Sequence, residues 1–124
     1  MCVIIVKKPG ILLPYEKIDS ACHVNNDGWG LSVVQDQNSL LNYRKYDPKG
    51  NDPDEVFDLM EKYKDFTQYI HLRFTTKGEK SQDNCHPFPL IEEEEYQLYL
   101  MHNGTLSFNK LVIPDKQSDT RAFC

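Results

Sequence analysis

The sequence predicts an α+β fold, because segments with strand patterning and segments with helical spacing both occur along one short chain. The 124 residues leave room for one domain with a single hydrophobic core. A continuous, mostly β-branched run at residues 2–6 indicates a short strand buried on both faces, and the Lys-Lys-Pro-Gly sequence at residues 7–10 ends it. We therefore expect one domain built from short strands and helices.

Two helices are predicted in the first half of the chain. Residues 15–28 carry apolar side chains at helical spacing and close on Asn and Gly. The second helix is expected from about residue 53 to residue 64, with Asp52 as its N-cap and Glu55 completing a capping-box-like pattern. Its predicted apolar face consists of Val56, Leu59, Met60 and Tyr63.

Strand patterning occurs on either side of the second helix. Residues 29–36 and 39–47 flank Gln37–Asn38 and indicate a β-hairpin. Residues 85–90 contain two prolines, which exclude a central strand. Residues 96–104 are apolar on both faces and stop at Asn-Gly, so they indicate a central strand that ends in a tight turn.

The segment at residues 67–75 alternates between apolar and polar side chains. The alternation puts Ile70, Leu72 and Phe74 on one face of a strand. It puts Arg73 on the opposite face. Arg73 is therefore expected to project away from the more apolar side of this strand.

The charge balance argues against two classes of partner. With 14 Lys and Arg against 19 Asp and Glu the net charge is −5, and no basic stripe suited to a phosphate backbone is present. The apolar start of the chain is about five residues long, which is too short for a signal-peptide core or a membrane span. The sequence therefore predicts a cytoplasmic protein that binds neither nucleic acid nor membrane.

Cys2 directly follows the initiator methionine and is a candidate nucleophile. A thiol with a pKa of about 8.5 is mostly protonated at neutral pH and needs a base, and the α-amino group of a chain-terminal residue, with a pKa of about 7.7 to 8.0, is well matched. That amine belongs to Cys2 only when Met1 is removed, as expected where the second residue is small. Taken alone, such a cysteine is more often a small buried residue.

Three further positions have the chemistry that acyl transfer from an amino-acid amide needs. Asn103-Gly104 follows a predicted strand and supplies a side-chain amide and an unobstructed backbone N–H for a developing oxyanion. Arg73 offers a cation for a substrate carboxylate. Asp119, which follows Ser118 at a predicted helix start, offers an acid for a substrate ammonium.

These residues stand in six short motifs that span residues 2–123, in the order MCVIIV, NNDGWGLS, HLRFTTKG, NCHPF, MHNGTL and SDTRAF. The ordered set resembles the class II glutamine amidotransferases, whose N-terminal-nucleophile domain releases ammonia from glutamine. Any one of the motifs is weakly specific, whereas the ordered set is fairly specific. Two positions depart from the family's pattern, because Val3 stands where glycine is common and Arg121 stands where glutamate is usual.

The resemblance implies an αββα sandwich of the Ntn-hydrolase type. Residues 1–124 would form the N-terminal portion of this glutamine amidotransferase type-2-like domain, with its C-terminal part lacking. Cys2 would attack the amide carbon of glutamine and form a γ-glutamyl thioester, with its own amine as general base and then general acid. Asn103 and Gly104 would form the oxyanion hole.

The resemblance also implies a substrate-binding set. Arg73 would hold the α-carboxylate and Asp119 the α-ammonium, while Thr76 and the Asp27–Gly28 turn would shape the pocket. The implied substrate is glutamine or another γ-glutamyl amide, and the chemistry needs no metal or other cofactor. The partners that stay open are a synthetase and a polypeptide that completes the domain.

Three alternatives stay open at the level of sequence. The Cys22-His23 and Cys85-His86 pairs could contribute to a structural zinc site, although neighbouring residues on an extended chain point to opposite sides. A catalytically inactive binding or regulatory module would keep the same pocket without turnover. The third alternative is a Cys-His dyad elsewhere, such as Cys85 with His102.

Overall fold

The computed structural model describes residues 1–37, 39–107 and 113–124. It contains helices and antiparallel strands, so the α+β class is confirmed. In chain order the elements are β1 (Val3–Lys7), α1 (Tyr15–Val24), β2 (Trp29–Val34), β3 (Leu40–Lys45), α2 (Pro53–Lys62), β4 (Thr67–Leu72), a short 3-10 helix (Gln82–Asn84), β5 (Phe88–Glu92), β6 (Gln97–Leu100) and α3 (Asp119–Phe123).

The main sheet has four antiparallel strands in the order β1-β4-β2-β3. Val3 of β1 and Trp29 of β2 both lie opposite Leu72 of β4, so alternate residues of these strands share one face. Helices α1 and α2 cover that face and bury the core. The core consists of Ile18, Cys22, Trp29, Leu31, Val33, Val56, Met60, Ile70 and Leu72.

Helix α2 begins as the sequence predicts and ends two residues earlier, at Lys62. The carboxylate of Asp52 accepts a hydrogen bond from the Asp54 N–H at 3.0 Å, which satisfies one of the free donors of the first turn. The Glu55 carboxylate lies 2.6 Å from Lys45 Nζ and ties the helix to β3. The predicted apolar face packs against the core, with Val56 and Met60 fully buried.

The predicted hairpin of residues 29–36 and 39–47 is confirmed as β2 and β3, which pair in antiparallel register. Asn38, in the predicted turn, lies outside the described residues. The single central strand predicted at residues 96–104 has a different outcome. Strand β6 pairs, within the described ranges, with β5 alone, and Leu98 is 48% exposed. The prediction of a central strand at residues 96–104 is therefore wrong, because among the described residues no strand pairs with the other edge of β6.

Strand β1 lies at an edge of the main sheet, and Val6 is 60% exposed. The prediction of a strand buried on both faces is therefore wrong. The face of the sheet opposite the helices is covered in part by the β5–β6 hairpin and by the segment before it. At Gly30 this cover is so close that an added Cβ would lie 1.6 Å from the His86 carbonyl oxygen. Beyond it, an apolar groove of about 410 Å³ stays open.

Strand β4 confirms part of the predicted alternation. Ile70 and Leu72 face the helices and are buried. Phe74 does not share their face, since β4 ends at Leu72 and the Phe74 side chain is 44% exposed. Arg73 lies beyond the strand on the side away from the helices, where it is buried rather than solvated. Across the described residues, no helix has the length and apolar character needed to span a membrane.

The Asp52 cap has a measurable consequence for stability. We expect Asp52→Ala to lower the free energy of unfolding by about 1 kcal/mol, because the Asp54 N–H loses its acceptor. Asp58→Ala removes a carboxylate from the exposed middle of the same helix and should change that energy by less than about 0.5 kcal/mol. Urea denaturation of both variants tests this, and equal losses would contradict the role of the cap.

Candidate active site

Cys2 lies one residue before β1, where the antiparallel register continues it opposite Arg73. Its sulfur is held by the backbone of Phe74. The Phe74 N–H donates to Cys2 Sγ at 3.3 Å, and the thiol donates to the Phe74 carbonyl at 3.4 Å. The side chain is half-buried, and the preceding Met1 is 83% exposed. The sheet ladder thus fixes the thiol at the end of two paired strands.

A narrow cleft brings most of the predicted site residues together. Cys2, Arg73, Thr76, Gly104 and Asp119 all line it. This cleft encloses about 20 Å³, and an adjoining space of about 280 Å³ shares Cys2, Thr76 and Gly104 with it. A larger open cleft of about 830 Å³ lies between β3 and α2, but none of the predicted site residues lines it. The smaller cleft is therefore the candidate site.

Arg73 is the buried cation of this cleft, with 3% of its surface exposed. Its Nη1 donates to the Glu79 carbonyl at 3.1 Å and its Nη2 to the Lys77 carbonyl at 3.2 Å. Burial lowers the pKa of the guanidinium, and the nearby Cys85 and Cys2 oppose that shift. A guanidinium has five N–H donors, and these two bonds use two of them.

Asp27 and Gly28 lie behind the cleft instead of lining it. The Gly28 carbonyl accepts from the Arg73 N–H at 2.8 Å, and the Asp27 N–H donates to the Arg73 carbonyl at 3.0 Å. The Asp27 carboxylate accepts from the Thr75 N–H at 2.7 Å and lies 2.6 Å from Lys80 Nζ. Burial opposes ionisation of Asp27, but these partners outweigh it and lower its pKa. The turn holds the backbone of Arg73 and the loop after it.

The Asn103-Gly104 turn and Asp119 approach the cleft from the other side. The Asp119 carboxylate is buried and accepts from the Leu106 N–H at 2.5 Å. Ser118 caps α3 by accepting from the Arg121 N–H at 3.2 Å, which confirms the predicted helix start. Gly104 has a φ of +138°, which favours glycine. Asn103 is exposed beside the cleft and is not among its lining residues.

Three polar residues outside the predicted site set support the site, and of these His71 and Asn84 are buried and Asn51 is half-buried. His71 lies 3.2 Å, through Nε2, from the His102 carbonyl, just before Asn103. Asn51 accepts from the Gly28 N–H at 3.1 Å. Asn84 is fully buried and bonds three backbone groups. His71 and Asn84 stand within the motifs HLRFTTKG and NCHPF. The motifs could therefore have marked these two residues, although the sequence does not show which groups they contact.

The rings of His71 and His86 lie against each other with their planes tilted by 41°, and His86 lines the cleft. Their ring centroids are 3.9 Å apart, and the His86 ring lies 4.6 Å from that of Phe88. Burial lowers the pKa of His71 to about 4 and that of His86 to about 2. Both rings are therefore neutral at physiological pH. Neither nitrogen of His86 has a hydrogen-bond partner in the described part of the chain.

Cys85 and His102, which the zinc-site and Cys-His dyad hypotheses would use, have other contacts in the structure. The thiol of Cys85 is fully buried and donates to the Lys45 carbonyl at 3.4 Å, and burial raises its pKa to about 11. The His102 ring lies 3.2 Å, through Nδ1, from Thr120 Oγ1. Among residues 1–37, 39–107 and 113–124, no group of three or more His, Cys, Asp or Glu side chains is arranged to hold a metal ion.

Fold and cleft together define an α+β protein with antiparallel sheets and a thiol, a buried guanidinium and a buried carboxylate around one cleft. Residues 12–120 match the family described as "Glutamine amidotransferases class-II", so this chain belongs to the class II glutamine amidotransferases. The match includes Arg73, Gly104 and Asp119 and begins after Cys2.

One curated relative is the "Probable glutamine amidotransferase DUG3" of Saccharomyces cerevisiae. It is 29% identical over 96 residues, which cover 73% of this chain and 25% of the relative. The chain therefore spans about a quarter of the length of the relative that it matches. No solved structure matches the chain significantly.

The histidine pair should make stability depend on pH. In the unfolded chain His71 and His86 take up protons near the ordinary pKa of 6.5, whereas in the folded chain they resist protonation down to about 4 and about 2. The unfolded state therefore binds more protons below 6.5, and we expect the free energy of unfolding to fall as the pH is lowered from 6.5 towards 4.

His86→Phe keeps a ring between His71 and Phe88 and removes one of the two titrating groups, so the slope of stability against pH should fall by roughly half. His23→Gln removes an exposed imidazole at the end of α1 and serves as the surface control. Denaturant titrations at several pH values measure both slopes. An unchanged slope in His86→Phe would show that this pair does not control acid stability.

Proposed function

We propose that this protein hydrolyses the side-chain amide of glutamine, or of another γ-glutamyl compound, through Cys2. The observation that carries the proposal is the cleft lined by Cys2, Arg73, Gly104 and Asp119 in a chain of this family. A nucleophile, a cation and an acid around one small cavity match the three parts of a γ-glutamyl amide. The larger cleft between β3 and α2 offers no thiol.

The reaction begins with the α-amine of Cys2 once Met1 has been removed. The amine takes the thiol proton, and the sulfur forms a bond to the amide carbon while the carbonyl oxygen becomes an oxyanion. The amine then returns the proton to the leaving nitrogen, the C–N bond breaks and ammonia leaves. Water attacks the γ-glutamyl thioester next, its proton goes through the same amine to the sulfur, and glutamate is released.

Two groups in the cleft would bind the amino-acid head of the substrate. Arg73 has N–H donors beyond the two that hold the loop carbonyls, and a carboxylate is their natural acceptor. Asp119 presents a buried carboxylate to the ammonium. Thr76 lines the same cleft, while Asp27 and Gly28 would contribute by holding Arg73 in place.

Asn103 and Gly104 would stabilise the oxyanion. Gly104 lines the cleft beside Cys2, and its positive φ lets the backbone approach without a side chain in the way. Asn103 is exposed next to it and would turn its amide towards the bound substrate. Such donors contribute mainly in the transition state, so their loss lowers kcat more than it raises KM.

We expect Cys2→Ala to abolish ammonia release from glutamine, because the proposed thioester forms on the Cys2 sulfur. Cys124→Ala removes an exposed thiol at the far end of the chain and should retain full activity. A coupled glutamate dehydrogenase assay measures the ammonia, and the intact mass of each protein reports whether Met1 has been removed. Equal background rates in wild type and Cys2→Ala would leave an inactive binding module, and activity in a chain that retains Met1 would refute the proposed base.

We further propose that a second polypeptide segment completes an αββα sandwich over the open face of the main sheet. Val6 and Tyr69 are 60% and 39% exposed on that face and line the apolar groove. Such surface is usually covered in a stable assembly. A synthetase partner that uses the ammonia would be a separate molecule. A cytoplasmic location is supported by four free cysteines, as is usual in a reducing compartment.

The open face can be tested with a fluorescent dye that binds exposed apolar surface. Val6→Lys places a charge beside the groove and should lower dye binding to the isolated chain. Val24→Lys changes a similarly exposed valine on α1, outside the groove, and should leave dye binding unchanged. Equal effects of the two variants would show that the dye does not bind this sheet face, which would contradict its role as the surface that a second segment covers.

A further inference from the structure

Asn84 ends the short 3-10 helix behind the cleft and is fully buried. Its Nδ2 donates to the Glu79 carbonyl at 3.0 Å and to the Lys116 carbonyl at 2.8 Å. Its Oδ1 accepts from the Ser118 N–H at 3.0 Å. Two carbonyls on one side and an N–H on the other match only one orientation of the side-chain amide.

The backbone groups held by Asn84 belong to the two segments that carry the charged residues of the cleft. The Glu79 carbonyl also accepts from Arg73 Nη1 at 3.1 Å, so one oxygen connects the amide to the guanidinium. Ser118 is the N-cap of α3 and directly precedes Asp119. A single buried amide therefore links the support of the cation to the support of the carboxylate.

The two segments are packed closely enough for this link to set their spacing. The Glu79 N–H donates to the Lys116 carbonyl at 3.2 Å. At Gly78 an added Cβ would lie 2.6 Å from the Ser118 nitrogen. Asn84 closes this junction from the buried side, and without it two carbonyls would lose a donor in a site that water cannot easily reach.

We propose that Asn84 is a positioning residue that sets the distance between Arg73 and Asp119, and that it thereby makes the cleft selective for compounds that carry both an α-carboxylate and an α-ammonium. The inference rests on the proposed function, since it names how the same site selects its substrate. It differs from a general stabilising role, because only reactions that use the amino-acid head of the ligand depend on this distance.

The test compares two reagents that alkylate the thiol of Cys2 in the full chain lacking Met1. A diazoketone analogue of glutamine has the amino-acid head, and iodoacetamide does not. Peptide mass spectrometry gives the labelling rate of Cys2 with each. We expect Asn84→Asp, which keeps the acceptor and replaces both donors, to lower the diazoketone rate about tenfold or more, on the scale of a misplaced binding group. The iodoacetamide rate should stay within about twofold.

Asn84→Ser is the milder second variant, since its hydroxyl can still serve one backbone group, and it should lower the same ratio by a smaller factor. Asn25→Asp, an equally buried asparagine at the end of α1, is the matched control and should keep the wild-type ratio. A wild-type ratio in folded Asn84→Asp and Asn84→Ser would overturn this inference alone. A wild-type protein without preference for the diazoketone would overturn the proposed function and this inference with it.

Discussion

The antiparallel pairing of β1 with β4 is the interaction on which the site depends. Its register, Val3 opposite Leu72, continues past the strand ends and brings Cys2 to the backbone of Phe74. Strand β4 is in turn paired with β2, and Gly28, just before β2, extends that ladder to Arg73. Thiol and guanidinium are therefore positioned by backbone hydrogen bonds on two sides, which side-chain changes in the loops alter least.

Under the proposed function, the buried charges around the cleft would suit a zwitterion better than a simple ion. Lys80 lies 2.6 Å from Asp27, so these two largely neutralise each other behind the cleft. Arg73 and Asp119 are one buried positive and one buried negative group that line the same cleft, and Lys77, which also lines it, is exposed. A ligand with one carboxylate and one ammonium would pair both without leaving a net buried charge, whereas a singly charged ligand would leave one group unmatched.

The sequence predicted the elements that depend on local signals. It did not predict which strand faces are buried, because that burial depends on segments distant in the sequence. The Asp52 cap, the β2–β3 hairpin and the Ser118 helix start depend on neighbouring residues and were predicted correctly. The burial of β1 depends on what lies over its second face, which periodicity does not reveal. The contacts of Asn84 join residues 5 to 34 positions apart in the chain. The motif NCHPF could mark Asn84, but the spacing of residues in the sequence could not show which backbone groups its side chain bonds.

The alternation along β4 places core residues on one face of the sheet and the polar residues beside the cleft on the other. Ile70 and Leu72 point into the helix-covered core, while His71 and Arg73 point to the opposite face, where the cleft lies. The core can therefore be packed by α1 and α2 without constraining the cleft directly. The opposite face must carry buried polar groups at one end, and its other end stays apolar and open at Val6. That asymmetry is the expected result of placing a polar site on the face of a sheet that the core does not use.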